Sequence, residues 1–378
     1  MKLAFEQLAE PLQASKVTKN VSFTRISTDT RTLQAGDLFI ALVGPNFDGH
    51  EFIAQAQQKG AVGALVSTDI DSDLPQMRVA DTRIALAELA SFRRQQMSGT
   101  WLAVTGSSGK TTVKEMLGHI LAEAGSVEVT QGNFNNDFGV PITIMNMQAQ
   151  GIDYRVLELG ANHIGEIAYT SRIGRPQIAI LNNAQDAHLS GFGGVQGVVK
   201  AKGEIVSSLD AQGQAVLNLD DANYNYWLQL AEARQVWSFS IDKASARVHT
   251  KQLIVGAQSS DFELNIDGQQ CPVHLPLAGR HNVANALAAA AAAAAAGLSI
   301  EQIQAGLQAC EAYQGRLVRH ELANDVLVID DTYNANPASV KAAIDVLTKQ
   351  TGESCLILGD LRELGTASYG LHKELGSY

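Results

Sequence analysis

The fold of this chain is decided by residues 101–112, which read WLAVTGSSGKTT. Residues 101–105 form a continuous apolar run that ends at a glycine, which is typical of a buried strand. The residues that follow place apolar side chains at three- and four-residue steps, which predicts an amphipathic helix; they are Val113, Met116, Leu117, Ile120, Leu121 and Ala124. A glycine-rich turn between such a strand and helix predicts a phosphate-binding loop, because its backbone N–H groups and the helix N-terminus attract an anion.

The side chains of this loop have the chemistry to hold a nucleoside triphosphate. Lys110 can neutralise the outer phosphates, and Thr111 can ligate Mg²⁺. Val104 stands where the usual P-loop of kinases and GTPases has a glycine, so the sequence matches a shorter T-G-x-x-G-K-T-T form. The alternative is a glycine turn with an incidental lysine, which the flanking strand and helix disfavour. We expect ATP to contact Gly106, Ser107, Ser108, Gly109, Lys110, Thr111 and Thr112.

The pattern around the loop predicts a parallel, doubly wound sheet. Apolar strands at 155–160, 178–184 and 215–219 alternate with helical segments, which is the order of a parallel α/β domain. Residues 245–276 alternate apolar and polar side chains with period two, which favours an appended antiparallel sheet. The alanine run at 288–296 predicts a tightly packed buried helix.

The chain as a whole predicts an α/β fold with three domains. Residues 1–82 form a small α/β domain, residues 83–312 the central P-loop domain, and residues 313–378 a Rossmann-like domain. In the last, Asn336 is placed to cap a helix that begins at Pro337, with a buried stripe of Val340, Ala343, Ile344 and Leu347, and residues 354–359 are a further strand. We expect this third domain to be incomplete, since so few strands do not make a complete doubly wound sheet.

The composition excludes several classes of protein. Of 378 residues, 46% are hydrophobic and 18% charged, which is typical of a globular protein. The net charge of −11 argues against a nucleic-acid-binding surface. The three cysteines have no metal-like spacing, and no apolar window is long enough to span a membrane. We expect a cytoplasmic monomer.

Three further residues are candidates for catalysis near the phosphate loop. Glu158 ends the strand at 155–160, and an apolar context makes a carboxylate unfavourable unless it binds a cation. His188 follows the next strand and could ligate a metal, although a lone loop histidine is more often solvated. Lys202 lies in a helical segment, and its spacing alone does not single it out. For Glu158 the alternative is an exposed carboxylate at a strand end.

A family resemblance supplies what spacing leaves open. The segments TGSSGKTT, LELGANHIGEI, NNAQDAHLSGFGG, AKGEI, LAGRHNVANALAA, YQGRL and DDTYNANP occur in the order and spacing of the Mur ligases. The chain resembles this family over essentially its whole length. The resemblance implies that Glu158 and His188 bind Mg²⁺, and that Lys202 is carbamylated and lies beside a second metal ion. Together with Thr111, these residues form the expected metal site.

The same resemblance implies roles for residues near the carboxyl end. Asn282 and Asn285 belong to the nucleotide pocket, Arg316 contacts phosphates, and Asp331 binds the ribose or orients the closing domain. Considered without the family, Arg316 could equally be a solvated loop residue and Asp331 a cap at a strand end.

The amino-terminal region resembles the domain that binds a UDP-linked substrate in this family. The motifs are ISTDTR at 26–31 and GDLFIALVGPNFDGH at 36–50, although turn-forming residues also explain such stretches. The segments GNFNNDFGVP at 132–141 and DDTYNANP at 330–337 resemble the branch that adds D-alanyl-D-alanine to a UDP-N-acetylmuramoyl tripeptide. The implied substrate contacts come from Ser27, Thr28, Asp29, Arg31, Asn46, Asp48, Gly49, His50, Asn135 and Asn136.

The resemblance therefore implies one reaction in the synthesis of peptidoglycan precursors. ATP phosphorylates the terminal carboxylate of the tripeptide, and the amine of D-alanyl-D-alanine attacks the acyl phosphate. The nearest alternative is another amide ligase of the family, either one adding a diamino acid or a folylpolyglutamate synthase. A second alternative is a noncatalytic ATP-binding protein. The joint presence of Glu158, His188 and Lys202 argues against it.

Overall fold

The computed structural model of the protein describes residues 2–185, 189–362 and 364–378, and the chain divides into two compact units. The first unit comprises the residues up to Gly99 together with Thr130–Ile152 and Arg172–Gly174. The second unit comprises Thr100–Val129, Asp153–Ser171 and Arg175–Tyr378. In the described part of the chain, no helix is both long and apolar enough to cross a membrane.

The first unit is built on a small sheet that is parallel except at one edge. Its strand order, within the described residues, is Lys16–Val17, Gln76–Arg78, Gly63–Val66, Leu38–Ile40 and Ile26–Ser27, with the first strand antiparallel. Two short antiparallel pairs join Leu3–Ala4 to Ser22–Phe23 and Val43–Gly44 to Phe47–Asp48. The helices of this unit are Phe5–Leu8, Ile53–Gln58, Thr82–Arg94 and Gly139–Asn146, with a 3-10 turn at Gly49–Phe52.

The second unit contains the predicted parallel sheet, which extends over nine strands in the described residues. Their order is Val127–Val129, Tyr154–Glu158, Thr100–Thr105, Ile178–Leu181, Gln214–Asn218, Gln235–Ser240, Val248–Val255, Ser260–Ile266 and Gln269–Leu275. Neighbours are parallel as far as Val248–Val255, and the last two strands join antiparallel. Both the doubly wound α/β fold and its antiparallel extension are thus confirmed.

The phosphate-loop helix of the second unit, Lys110–Ala122, packs against two other helices, Arg280–Ala295 and Ile300–Gln308. The remaining helices of this unit are Glu166–Gly174 (whose last three residues belong to the first unit), Leu189–Phe192, Val195–Ser207, Tyr224–Ala231, Pro337–Leu347 and Ser368–Ser377. Residues Ala288–Ala293 have no exposed surface, as the alanine run predicted. The small alanine side chains let the helix Arg280–Ala295 pack closely against Lys110–Ala122, so the core is tightly packed next to the phosphate loop.

The carboxyl-terminal part agrees with the sequence at its first helix and differs beyond it. The side chain of Asn336 accepts a hydrogen bond from the Ser339 backbone N–H, and Pro337 is the first helical residue, as predicted. In the predicted stripe Val340 is buried, whereas Ala343, Ile344 and Leu347 are half-buried. The strand Leu327–Asp330 pairs antiparallel with Val318–Glu321, and 3-10 turns lie at Ala323–Asp325 and Gly365–Ala367.

The prediction of a strand at 354–359 is wrong. These residues have no regular structure, and Ile357 is 93% exposed. A strand gains its stability from hydrogen bonds to a neighbouring strand. Among the described residues this segment pairs with no other strand, so apolar composition alone does not make it one.

Candidate functional site

The phosphate loop connects the strand Thr100–Thr105 to the helix that begins at Lys110, as predicted. Gly109 has φ +79°, in the left-handed region that favours glycine. A Cβ at this position would collide with Asn285 Oδ1 and Asn182 Nδ2. Lys110 Nζ donates to the Gly106 carbonyl at 2.8 Å. The side chain of Lys110 therefore lies across the loop in which it is predicted to neutralise phosphate charge.

Polar residues after the neighbouring strand brace the loop from one side. Asn183 Oδ1 accepts from the Ser108 backbone N–H at 3.0 Å, and its carbonyl accepts from the Ser107 N–H at 3.1 Å. Gln185 contributes an Oε1 that accepts from Ser108 Oγ at 2.8 Å. Asn182 Nδ2 donates to Asn285 Oδ1 at 2.9 Å, which links the loop region to the alanine helix.

Asn182, Asn183 and Gln185 lie in the segment NNAQDAHLSGFGG, but the sequence pattern predicts no role for them. The signal that could have found them is topological. The strand Ile178–Leu181 lies beside the loop strand, parallel to it, so residues after both strands meet at the same edge of the sheet.

A cavity of about 330 Å³ opens beside the loop, which is within the size range of small-molecule sites. Seven of the predicted nucleotide residues line it, namely Ser108, Gly109, Thr112, Asn282, Asn285, Arg316 and Asp331. Lys110 and Thr111 line a second cavity of about 40 Å³ that shares Ser108, Gly109 and Arg316 with the first. The second unit thus brings nearly the whole predicted nucleotide set together, from four separate parts of the chain.

Arg316 and Asp331 form the carboxyl-terminal wall of this cavity. The Arg316 guanidinium lies 4.5 Å from the centre of the Tyr333 ring. Its Nε atom is buried, and no described residue accepts a hydrogen bond from it. Burial raises the pKa of Asp331 to about 6, while the charge of Arg316 opposes that rise. An arginine with an unused donor beside a half-buried carboxyl group is suited to a polar, anionic ligand.

Buried charged groups converge behind the loop. Glu158 ends the strand Tyr154–Glu158 and is only 2% exposed, so it is not the solvated carboxylate that sequence left open. Lys202 is likewise 2% exposed. Burial lowers the pKa of Lys202 to about 7, as does the charge of Lys110, against the opposite effect of two carboxylates, Glu166 and Glu204.

Lys110 interacts electrostatically with Glu158, Arg316 and Lys202. Burial lowers its pKa; the charge of Glu158 opposes this shift and the charge of Arg316 adds to it. The side-chain burial of Lys202 and its proximity to Lys110 are properties that spacing along the chain could not reveal. They distinguish Lys202 from Lys200, which is exposed on the same helix.

The predicted metal ligands fall partly outside the described structure. His188 lies outside the described residues. Thr111 is buried at the start of the loop helix, and Glu158 is buried at the end of a neighbouring strand. Within residues 2–185, 189–362 and 364–378, no three His, Cys, Asp or Glu side chains form a metal-binding group. A hydroxyl and a carboxylate are the oxygen donors that Mg²⁺ prefers, so the described donors fit this ion.

Two carboxylates that the sequence did not single out hold the chain segment after Glu158. Glu204 Oε1 accepts from the Gly165 N–H at 2.7 Å, and its Oε2 accepts from the Ala168 N–H at 3.0 Å. Glu166 Oε2 accepts from the Asn162 N–H at 2.8 Å. These bonds fix the start of the helix Glu166–Gly174, where the dipole favours negative charge.

The predicted substrate residues of the first unit form two braced turns. Ser27 Oγ donates to the Asp29 carbonyl at 2.8 Å, and Arg31 Nη2 donates to Asp29 Oδ2 at 2.6 Å. The Arg31 partnership lowers the pKa of Asp29. Thr28 is half-buried between them, and Asn46 is exposed at the tip of the hairpin formed by Val43–Gly44 and Phe47–Asp48.

His50 is buried and engaged by the protein at both ring nitrogens. Its Nδ1 lies 2.5 Å from Asp48 Oδ1, and its Nε2 accepts from the Ser67 N–H at 2.9 Å. The backbone N–H and side chain of His50 lower the pKa of Asp48. Gly49 has no room for a Cβ against the Leu42 backbone. The geometry makes His50 a brace for Asp48, whose side chain is 47% exposed.

Asn135 and Asn136 belong to the first unit, although they lie within the central segment of the sequence. Asn135 is half-buried and Asn136 is exposed. Asn136 Oδ1 accepts from the Gly139 N–H at 2.8 Å, at the start of the helix Gly139–Asn146. That helix packs on Thr82–Arg94, which is why the segment Thr130–Ile152 joins the first unit.

Three family models match the chain in succession. The model described as Mur ligase family, catalytic domain, matches residues 22–94. The Mur ligase middle domain matches residues 104–293, and the Mur ligase, glutamate ligase domain matches residues 315–378. The first two matches cover most of the predicted substrate and nucleotide motifs.

Individual relatives agree with these models. A protein of Escherichia coli strain K12 named UDP-N-acetylmuramoyl-tripeptide–D-alanyl-D-alanine ligase is 44% identical over 374 residues, which are 99% of this chain and 82% of that protein. Crystal structure I of MurF from Acinetobacter baumannii has a TM-score of 0.94 and 41% identity, covering 100% of this chain and 83% of that one. The MurF ligase of Thermotoga maritima in complex with ADP has a TM-score of 0.84 and 31% identity, covering 93% and 81%.

Proposed function

Because this chain belongs to the Mur ligase family, we propose that it is the ATP-dependent ligase that joins D-alanyl-D-alanine to UDP-N-acetylmuramoyl tripeptide. The observation that carries the proposal is the convergence of Lys110, Glu158 and Lys202 with the cavity that Arg316 and Asp331 line. This arrangement provides a phosphate loop, buried charge and a nucleotide-sized space in one unit. The names of the relatives supply the two substrates.

We assign ATP to the second unit. Its triphosphate lies on the N–H groups of residues 109–112, where the helix N-terminus adds positive potential, since the N–H groups of Ser107 and Ser108 already donate to Asn183. Its base and sugar occupy the cavity of about 330 Å³, against Asn282 and Asn285. Arg316 donates to a phosphate through its unused Nε–H, and Asp331 accepts from the ribose.

In this proposal Thr111, Glu158 and His188 would hold Mg²⁺, and Lys202 would serve a second ion. When bound, Mg²⁺ neutralises charge on the phosphates during transfer. Lys202 is carbamylated, since burial disfavours its ammonium form and the neutral amine is the form that reacts with CO₂. The product is a carbamate, which forms with release of a proton from the nitrogen, and its anionic oxygens would suit the positive charge of a metal ion better than an ammonium does.

The chemistry then proceeds in two displacements. An oxygen of the tripeptide's terminal carboxylate attacks the γ-phosphorus of ATP; the bond to the β,γ-bridging oxygen breaks, and ADP leaves. Lys110 stabilises the negative charge on the transferring group, an effect worth several kcal/mol in a site that excludes water. The amine of D-alanyl-D-alanine then attacks the acyl carbon, an amide bond forms, and phosphate leaves together with a proton.

The UDP-linked substrate is held by residues of the first unit. Ser27, Thr28, Asp29 and Arg31 form one turn, and Asn46, Asp48 and Gly49 form another, which the buried His50 supports through Asp48. Both turns are assigned to the uridine diphosphate end. Asn135 and Asn136 hold the muramoyl-peptide end with their amide groups. We further propose that the chain acts as a monomer, because the residues assigned above to ATP, Mg²⁺ and the UDP-linked substrate all belong to one chain.

The test is a phosphate-release assay with ATP, UDP-muramoyl tripeptide and a series of amine acceptors. We expect release to be stimulated by D-alanyl-D-alanine and not by single amino acids. Stimulation only by a diamino acid, or only by glutamate with a folate acceptor, would assign the chain to a different ligase. Absence of release with every acceptor, while ATP still binds, would support the noncatalytic alternative.

A matched pair of lysine variants tests the site itself. Lys202→Ala removes the buried amine, and Lys200→Ala removes an exposed one from the same helix, Val195–Ser207. We expect the first to abolish ligation and the second to leave it within twofold of the unmodified protein. Equal activity of both variants would remove Lys202 from the proposed machinery.

A further inference from the structure

The helix Thr82–Arg94 begins at the edge of the first unit that carries the turns assigned to uridine diphosphate. Asp81 caps it, since its side chain accepts from the backbone N–H groups of Arg83 and Ile84. The buried Thr82 hydroxyl donates to the Ala41 carbonyl at 2.8 Å. Ala41 directly follows the strand Leu38–Ile40 and leads into the hairpin that ends at Asp48. The start of the helix is therefore fixed to the part of the unit that is proposed to bind uridine diphosphate.

The next residue of this helix reaches the loop that contains Asn135 and Asn136. Arg83 forms an ion pair with Asp137, and its guanidinium carbon lies 4.0 Å from the centre of the Phe138 ring. Asp137 is largely buried, with 19% of its side chain exposed, and Arg83 is half-exposed. Two consecutive loop residues thus contact one planar side chain, by charge and by a cation–π contact.

Hydrogen bonds within the loop connect Asp137 and Phe138, which Arg83 holds, to Asn135 and Asn136. Asn136 Oδ1 accepts from the Gly139 N–H at 2.8 Å, and the Val140 N–H donates to the Asn136 carbonyl at 2.9 Å. Thr143 Oγ1 donates to the Phe134 carbonyl at 3.2 Å. A Cβ at Gly139 would collide with the Phe134 backbone, so the loop is packed against its own helix. Holding residues 137 and 138 therefore fixes the asparagines immediately before them.

We propose that Arg83 is a positioning residue that sets the location of Asn135 and Asn136 for the muramoyl-peptide end of the UDP-linked substrate. The inference rests on the proposed function, which supplies that substrate. Thr82 and Arg83 are adjacent, so one helical turn joins the uridine diphosphate end to the peptide end through two side-chain contacts. The spacing between the two sets of substrate contacts is then set by a single rigid element.

A general role in stability is the competing explanation, and the structure makes it the weaker one. The Arg83 side of the ion pair is half-exposed, so water screens the charges and the pair contributes little to the free energy of folding. The helix itself is anchored elsewhere, since Arg93 Nη2 donates to the Met147 carbonyl at 2.6 Å and Arg94 Nε donates to the Gly174 carbonyl at 2.7 Å. Loss of Arg83 should therefore release the loop while the unit stays folded.

The experiment compares Arg83→Gln, Arg83→Lys and Asp137→Asn with Arg78→Gln as the matched control. Arg78 also pairs with an aspartate of this unit, Asp69, at 2.7 Å, but away from the asparagine loop. We expect Arg83→Gln to raise the KM for UDP-muramoyl tripeptide about tenfold, because the side chains of Asn135 and Asn136 must then be ordered when the substrate binds. The KM for ATP, and the inhibition constant of UDP alone, should stay within twofold.

The remaining variants separate charge from geometry. Arg83→Lys keeps the charge but loses the planar stack on Phe138, so we expect an intermediate KM. The double variant of Arg83→Gln with Asp137→Asn should be no worse than Arg83→Gln alone, because both changes break one contact. Arg78→Gln should match the unmodified protein.

Two results would overturn the inference. One is an unchanged KM for the UDP-linked substrate in Arg83→Gln. The other is a parallel rise in the inhibition constant of UDP with a lowered melting temperature, which would mean general damage to the unit. If the unmodified protein does not turn over UDP-muramoyl tripeptide, the proposed function fails first and the inference falls with it. A failure confined to the Arg83 variants leaves the proposed function intact.

Discussion

Replacing Gly109 by alanine tests whether the phosphate loop depends on the buried asparagines behind it. The residue has φ +79°, and a left-handed conformation costs an alanine about 1–2 kcal/mol. The new Cβ would also collide with Asn285 Oδ1 and Asn182 Nδ2. These two side chains are 5% and 1% exposed and share a hydrogen bond of 2.9 Å. Separating them deprives the buried Asn285 Oδ1 of this donor, at a further cost of about 1–3 kcal/mol, whereas Asn182 Nδ2 still donates to the Ser108 carbonyl.

Together these effects amount to about 2–5 kcal/mol. Because 1.4 kcal/mol corresponds to a tenfold change in an equilibrium constant, we expect Gly109→Ala to weaken ATP binding at least about 30-fold if the loop moves to relieve the collision. The measurement is the dissociation constant of ATP with Mg²⁺ by isothermal titration calorimetry. Urea unfolding of the same variant shows how much of the cost appears as lost global stability.

Gly297→Ala is the matched control. Gly297 has φ +92° just after the alanine helix, and nothing lies within 4 Å of a Cβ placed there. This variant therefore has the backbone strain without the collision, and we expect a loss of about 1 kcal/mol in unfolding free energy with unchanged ATP binding. The reasoning is refuted if Gly109→Ala binds ATP within threefold of the unmodified protein while Gly297→Ala behaves as expected.

Three further predictions follow from burial. Because burial raises the pKa of Cys310 to about 12, iodoacetamide should label the exposed Cys355 of the native protein and leave Cys310 unmodified until urea is added, as peptide mass spectrometry can show. The pKa of Asp331 is raised from 3.8 to about 6, so its protonated form stabilises the folded state below pH 4, and this stabilisation is lost as the pH rises from about 4 to about 6. The melting temperature of the unmodified protein should therefore fall over this range relative to that of Asp331→Asn. Parallel curves of melting temperature against pH for the two proteins would contradict the assignment. Ala290→Val adds volume to a site with no exposed surface and should lower the unfolding free energy by about 1–3 kcal/mol, whereas Ala295→Val, at the half-buried end of the same helix, should cost clearly less in urea unfolding.

The nucleotide loop and the class of fold could be predicted because their causes are local. A buried strand, a glycine turn and an amphipathic helix are adjacent at 101–124, so the pattern of apolar residues and glycines already specifies them. The same is true of the helix that Asn336 caps and Pro337 begins. Local pattern failed at 354–359, because a strand requires a neighbour that an apolar run does not supply.

The residues that brace the site could not be predicted in this way, because their partners are distant in the sequence. Asn183 and Gln185 meet the loop across 75 and 77 positions, and Asn182 meets Asn285 across 103. The residue type alone does not show which of the many Asn and Gln side chains in the sequence contact the phosphate loop. Only the parallel pairing of two strands makes these residues neighbours.

By itself, the sequence determined where ATP should bind, which family the chain resembles and which residue types are available for the reaction. The tertiary structure decided that Lys202 is buried while Lys200 is exposed, that His50 braces Asp48, and that the loop of Asn135 belongs to the first unit. The physical reason is that burial and partnership are set by packing between elements far apart in the chain. A periodic pattern records which face of an element is apolar, but it does not record which other element covers that face.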